Sequence, residues 1–261
     1  MTAGLNIQVG GITLGCTLEN ERFLGELREN YGAFLTDMEP DYRLAVHACT
    51  MDIREDYYEP VVNLSGPCLS VKRRDFTAEL DLEKKQGSVE INDNLFAFDS
   101  LHRVLYSSLL LRHDGFVLHC CGLVKNGKGY IFLGLSQSGK STMYRISPGS
   151  TLLSDEMVVV RKWAGRYHVY GTPFWGDFPG GTGNFHKPVH GLYFLCKDSS
   201  NFTRPVAGKE AVMRIIRNVL FFSRDQGESS RLFFLCSDFV TGILLRELHF
   251  LPEPSVWDVI E

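Results

Sequence analysis

VLHCCGLVKNGKGYIFLGLSQSGKST, residues 117–142, joins two signals that the commonest nucleotide-binding architecture keeps apart. In its last nine residues, GLSQSGKST (134–142), four residues separate Gly134 from Gly139, Lys140 and Ser141, the spacing of a phosphate-binding loop. Glycines let the backbone curl so that successive N–H groups point at phosphate oxygens. Lys140 adds charge toward the β- and γ-phosphates, and the Ser141 hydroxyl suits Mg²⁺. A helix starting here turns its positive end toward the same anion. The bland alternative is a Gly/Ser-rich turn before a helix. YIFLG (130–134), a short apolar strand leading directly into the loop, favours the phosphate reading.

Upstream, Asn126-Gly127 separates FVLHCCGLVK from YIFLG. Both residues tolerate φ > 0, so the pair predicts a type I′ hairpin. The strand feeding the loop then has an antiparallel neighbour just before it, and His119 is expected on that neighbour. In doubly wound mononucleotide folds the same strand lies in a parallel sheet joined by helical crossovers. The hairpin therefore argues against that commonest architecture for this loop.

The chain has 261 residues, enough for one large domain or two small ones. Its 44% hydrophobic and 22% charged content is that of a globular protein, and the net charge of −4 supplies no broad basic field for nucleic acid. VKRRDF (71–76) is a local basic patch, read as a solvated strand or turn. Seven scattered cysteines without a C-x-x-C pair or a secretory signal suit reduced thiols, hence a cytoplasmic setting; Cys120 and Cys121 read as small buried groups. No apolar run reaches the length of a bilayer span, so no membrane partner is expected.

Residues 1–98 read as a β-rich subdomain without a chemical motif, and 99–261 as the phosphate-loop core. LNIQVGGITLGC (5–16), YRLAVHACTMDI (42–53) and CLSVKRR (68–74) look like strands, and FTAELDLEKKQGSVEIN (76–92) like two strands around a turn at Gln86-Gly87-Ser88. DSLHRVLYSSLLLR (99–112) changes to a helical period, with a leucine-rich stripe and Asp99 as N-cap. Pro148 and Gly149 stop the helix after the loop within about two turns. GKEAVMRIIRNVLFFS (208–223) predicts an amphipathic helix, SRLFFLCSDFV (230–240) fits helix or strand, and ILLRELHF (243–250) predicts a closing strand.

LLSDEMVVV (152–160) sets Asp155 and Glu156 between two apolar β runs, 15 residues after Lys140. A turn there aims both carboxylates at one place. One can ligate Mg²⁺ while the other accepts a proton from a hydroxyl; a solvated Asp-Glu turn is the structural alternative. His119 is a candidate for contacting phosphate or orienting an acceptor, against the common case of a structural histidine. FPGGTGNFHKP (178–188) is a candidate acceptor contact, with Gly180, Gly181 and Gly183 lending mobility and His186 and Lys187 meeting an anion; an exposed loop explains it equally well.

With the histidine, hairpin, loop and acidic pair in this order, residues 99–257 resemble the HPr serine kinase family. Its relatives include HPr-kinase-like enzymes of peptide-tailoring clusters and, more distantly, phosphoenolpyruvate carboxykinase. YGTPFWGD (170–177) and ELHFLPEPSVW (247–257) resemble the peptide-cluster branch. The resemblance implies a mixed, antiparallel-rich α/β phosphate-loop core and a cytoplasmic kinase using ATP, or another nucleoside triphosphate, with Mg²⁺. It implies nucleotide contacts at Gly134, Ser136, Gln137, Ser138, Gly139, Lys140, Ser141 and Thr142. Ser141, Glu156 and Asp155 would face the metal, and Asp155, His119 and Lys140 would carry catalysis. The implied acceptor is a serine of a peptide or small protein. Relatives assemble, which admits a homo-oligomer. The family's second acidic residue is aspartate where this chain has Glu156, and no segment here matches the one HPr kinases use in the reverse reaction. Two other functions stay open: a small-molecule kinase, since the loop also resembles that of adenylylsulfate kinases, and a nucleotide-binding scaffold without turnover.

Overall fold

A computed structural model describes residues 3–51, 59–135, 137–178 and 183–260. The chain forms two compact units, one of Met1–Leu109 with Phe221–Ser229 and the other of Leu110–Leu220 with Ser230–Glu261. The division falls inside a helix, beyond the expected 98/99 boundary, and a short later segment returns to the first unit.

The first unit contains β1 (Ala3–Val9), β2 (Ile12–Leu18), α1 (Glu21–Asn30), β3 (Tyr42–Cys49), β4 (Val61–Ser65), β5 (Cys68–Arg73), β6 (Phe76–Asp81), β7 (Gln86–Asn92) and most of α2 (Leu95–Arg112). Its seven strands form one sheet in the order β1-β2-β3-β7-β6-β5-β4, parallel only at β2–β3 and β3–β7. The Asn20 side chain accepts from Phe23 N and so caps α1, which buries Phe23, Leu24 and Leu27. Tyr106, fully buried on α2, donates its hydroxyl to the Ile7 carbonyl at 2.9 Å.

Three local expectations are corrected here. The turn in 76–92 lies at residues 82–85, with Lys85 at φ +57, and Gln86-Gly87-Ser88 belongs to β7. Gly87 is there for closeness: a Cβ on it would stand 2.3 Å from the Glu79 carbonyl oxygen. The N-cap of α2 is Asn94, whose side chain accepts from Ala97 N, while Asp99 lies within the helix and pairs with Arg103 and the Tyr31 hydroxyl. Arg73 of the basic patch is buried beside Asp75, with two contacts of 2.6 Å, and its guanidinium covers the Phe76 ring.

The second unit contains β8 (Gly115–His119), β9 (Cys121–Lys125), β10 (Lys128–Leu133), α3 (Lys140–Arg145), β11 (Thr151–Ser154), β12 (Met157–Trp163), β13 (Arg166–Tyr170), β14 (His186–Lys197), β15 (Phe202–Pro205), α4 (Gly208–Ile216), most of α5 (Gln226–Thr241) and β16 (Leu244–Phe250). The sheet runs β11-β9-β10-β14-β13-β12-β8, with β16 on β14 and β15 on β16. The hairpin forms as its residues dictate: Lys125 faces Lys128, with Asn126 at φ +52 and Gly127 at φ +75. On its other side β10 is parallel to β14, so the loop strand has one antiparallel and one parallel partner.

His119 is not on the strand beside β10, contrary to expectation. The run 115–125 breaks at Cys120, whose N–H donates to the Glu156 carbonyl at 2.9 Å. Before the break β8 pairs with β12, and after it β9 pairs with β10 and β11. The opposing run 151–163 breaks at the same level, between β11 and β12. The predicted helix over 208–223 ends at Ile216. Beyond it Leu220 N donates to the Val117 carbonyl, along the edge of β8. SRLFFLCSDFV is helical, burying Leu232, Leu235, Cys236, Phe239 and Val240 at helical spacing. Among the described residues, no helix is long and apolar enough to cross a membrane.

Candidate active site

The second unit's apolar strand β10 ends at the buried Leu133, and the chain curls immediately. A Cβ on Gly134 would come within 2.3 Å of the Ser138 hydroxyl oxygen, so the start of the loop is folded against its own far side. Gln137 takes φ +64 and Gly139 φ +104; a Cβ on Gly139 would lie 2.7 Å from Cζ of the buried Phe250. Met143, one turn into α3, packs in the core that holds Phe132, Leu195 and Phe250. The loop is thus anchored from beneath by its helix and closed above by Lys140, whose Nζ donates to the carbonyls of Gly134 (3.0 Å) and Leu135 (3.4 Å). The Ser138 hydroxyl oxygen is buried and has no hydrogen-bond partner among the described residues.

The acidic pair sits where both β runs break. Buried Ser154 makes the turn: its Oγ accepts from the N–H groups of Glu156 (3.1 Å) and Met157 (3.0 Å) and donates to the Phe174 carbonyl (2.7 Å). Asp155 is 4% exposed and accepts from Gly176 N at 2.9 Å and Asp177 N at 2.7 Å, one on each carboxylate oxygen. Each oxygen has a second lone pair, so the carboxylate keeps acceptor capacity toward the cleft. Thr172 Oγ1 ties the same segment to the Met157 carbonyl. Gly176 permits this approach, since a Cβ there would stand 3.1 Å from Asp155 Oδ2.

These features surround one cleft of about 620 Å³. Of the sequence-derived candidates, His119, Gln137, Gly139, Lys140, Ser141, Thr142, Asp155 and Glu156 line it. Gly134 and Ser138 shape the loop behind it, and Ser136 lies outside the described residues. His119 reaches the cleft through the β8–β12 pairing, opposite Met157, rather than from the strand next to the loop. Arg145, Gly176, Asp177 and Lys197 also line it. No motif marked Arg145 or Lys197; the only available signals were the last turn of the loop's helix and the end of a strand beside the loop strand. The guanidinium of Arg145 lies 5.2 Å from the Phe178 ring centroid, which places it over that rim.

Gly180 and Gly181 of the glycine-rich segment lie outside the described residues. His186 is drawn away from the cleft into an aromatic cluster, stacked on Tyr170 at 4.4 Å and meeting His168 and Trp163 edge-on. Its pKa is lowered, first by burial and then by His168 and Lys187. Beneath the cleft, burial pushes the Cys121 thiol up strongly; nearby Asp155 adds to the rise and Lys140 opposes it. Cys120 is likewise raised by burial, so the two thiols are inert walls.

The donor set suits a polyphosphate with a hard cation. Lys140, Arg145 and Lys197 supply positive charge, and Ser141, Asp155, Glu156 and Asp177 supply hard oxygen ligands of the kind Mg²⁺ takes. The buried Ser138 hydroxyl, which has no partner among the described residues, and the curled loop fit a bound anion.

No protein-family model and no curated protein matches the chain. Among solved structures it is similar to the HPr(Ser) kinase/phosphatase from Coxiella burnetii, with 18% identity, 48% of this chain and 88% of that chain covered, and a TM-score of 0.27.

Proposed function

We propose that the second unit is a kinase that uses ATP and Mg²⁺ to phosphorylate a hydroxyl, that of a serine in a peptide or small protein of the kind handled by peptide-tailoring clusters. The observation that carries this reading is the shared cleft: the phosphate-loop Lys140 and Ser141 face the same space as Asp155 and Glu156, and Asp155 is clamped by two backbone N–H groups.

Bound MgATP would supply the phosphoryl group. The loop N–H groups and Lys140 hold the phosphate chain, and Lys140 exchanges its Gly134 and Leu135 carbonyl partners for phosphate oxygens. Ser141 and Glu156 would hold the metal ion, which would offset the charge of the phosphates. Asp155, fixed in orientation by Gly176 and Asp177, accepts the proton of the attacking hydroxyl or aligns it. His119 stands across the β-break to steady the acceptor, and Arg145 and Lys197 add charge at the rim.

The test is incubation of the purified chain with γ-labelled ATP, Mg²⁺ and a panel of serine-containing peptides and small hydroxyl metabolites. Label on a peptide serine that disappears in both Lys140→Ala and Asp155→Ala supports the proposal. Label confined to a small metabolite replaces it with a small-molecule kinase. Nucleotide binding without transfer to any acceptor makes the protein a scaffold.

A further inference from the structure

We propose that the second unit also carries a transition-metal site of the Zn²⁺ type, formed by Cys196, Glu247 and His249 on the sheet face turned away from the nucleotide cleft. The strands dictate the grouping. In the parallel pairing of β14 with β16, Cys196 stands directly beside His249, and Glu247 lies two residues earlier on the face of β16 that carries His249. Leu195 and Leu248, the neighbours of opposite alternation, point into the core that supports the loop helix. Lys197 lines the cleft while Cys196 points to the other side.

The ligand atoms of the three side chains all lie within 4.8 Å of one another. His249 Nε2 is 3.2 Å from Glu247 Oε2. With Zn–N and Zn–O bonds of about 2.0–2.1 Å, the edge of a coordination tetrahedron is about 3.3 Å, so this pair already has the separation of two ligands on one ion. Asp198 Oδ2 lies 2.9 Å from His249 Nδ1. A carboxylate in that position holds the proton on Nδ1 and presents the Nε2 lone pair, the usual arrangement behind a metal-bound imidazole. That lone pair and a carboxylate oxygen then face each other across 3.2 Å and require a cation, or a second ring proton, between them.

The surroundings fix each donor. Arg214 takes Glu247 Oε1 at 3.0 Å, leaving Oε2 for the site. The Phe202 ring lies 4.3 Å from the imidazole at an angle of 9° and holds its plane. Thiolate, imidazole and carboxylate form a borderline-soft set that selects Zn²⁺ over the Mg²⁺ expected in the cleft. Three protein ligands leave a fourth position for water or another donor. On binding, the Cys196 S–H bond breaks, a metal–sulfur bond forms and the proton passes to solvent.

The experiment uses the full chain, stripped with a chelator and titrated with Co²⁺. The expected result is about one equivalent bound with a near-ultraviolet thiolate-to-metal charge-transfer band and the visible bands of tetrahedral cobalt, all displaced by Zn²⁺. Cys196→Ser should abolish the charge-transfer band, Asp198→Asn should weaken binding about 10- to 100-fold, and Lys140→Ala should change neither. The Lys140 variant separates this proposal from the kinase reading, so either can fail alone. A band that survives Cys196→Ser would point to the exposed Cys49 or Cys68 and overturn the assignment. So would the lack of any band in the wild type, which would leave an imidazolium bridging Asp198 and Glu247. Should Cys196→Ser fail to fold, Glu247→Gln serves in its place: unchanged Co²⁺ affinity and spectrum there would also refute the site.

Discussion

Replacing Gly139 by alanine tests the 134–142 curl, the proposed phosphate loop, through its backbone. The residue sits at φ +104, ψ +21, where a side chain is strained by about 1–3 kcal/mol. The new Cβ would also approach Phe250 Cζ to 2.7 Å, and that ring is held in the core with Leu195, Leu248 and Met143. Overpacking of this kind costs a further ~1–3 kcal/mol. Together these give a destabilisation of about 2–6 kcal/mol for the second unit. The chain's three tryptophans, Trp163, Trp175 and Trp257, all belong to that unit, so tryptophan fluorescence during urea unfolding reports on it alone. Lys140→Ala is the matched control: it removes hydrogen bonds of a part-buried ammonium and should shift the transition by only about 1 kcal/mol while abolishing nucleotide binding. A Gly139→Ala protein that unfolds within about 1 kcal/mol of wild type, and still binds ATP, would refute the described curl and its seat on Phe250.

Gly176→Ala should slow phosphoryl transfer by about tenfold or more with little effect on ATP affinity, because the added methyl presses on Asp155 Oδ2; steady-state kcat and KM for ATP check it. His102, fully buried, donates Nδ1–H to the Phe98 carbonyl, and burial lowers its pKa to about 4 from an ordinary 6.5. Above pH 6.5 neither folded nor unfolded His102 is charged. As pH falls from 6.5 to 4 only the unfolded chain takes the proton, so the first unit should lose about 3 kcal/mol across that window, at about 1.4 kcal/mol for each pH unit. Far-ultraviolet circular dichroism in urea at several pH values reads this, and His102→Gln should flatten that part of the dependence. Tyr106→Phe should destabilise the first unit by about 1–2 kcal/mol, because the Ile7 carbonyl loses a buried donor; the same unfolding assay measures it.

Local signals were legible wherever a residue type has a narrow conformational meaning. Asn126-Gly127 specified its turn, and the glycine spacing at 134–139 specified a curl, because few backbones satisfy either pattern. Gly87 misled for the opposite reason. Glycine also serves where two strands approach too closely for a Cβ, and only the neighbouring Glu79 carbonyl tells that use from a turn. Val219 and Leu220 extended the helical pattern of 208–223, yet they are consumed by the edge of β8, a partner about a hundred residues away in the chain. Phe233 and Phe234 blurred the period of α5 because both are exposed on an otherwise one-sided helix. In the cleft, the residues next to the loop and in the acidic pair could be named from order alone. Arg145 and Lys197 could not, since their place depends on where a helix and a distant strand happen to end.

The coincident breaks in 115–125 and 151–163 have a consequence for how such a protein can change. Asp155 and Glu156 stand on framework that is paired on both sides of the gap, so their position is inherited from the sheet rather than from a loop that drifts. If the cleft is the proposed kinase site, new acceptors would be accommodated by altering the lip, at residues such as Arg145, Asp177 and Lys197, while the floor stays put. An engineer seeking a different target would diversify those three positions and leave the hinge of the two ribbons untouched.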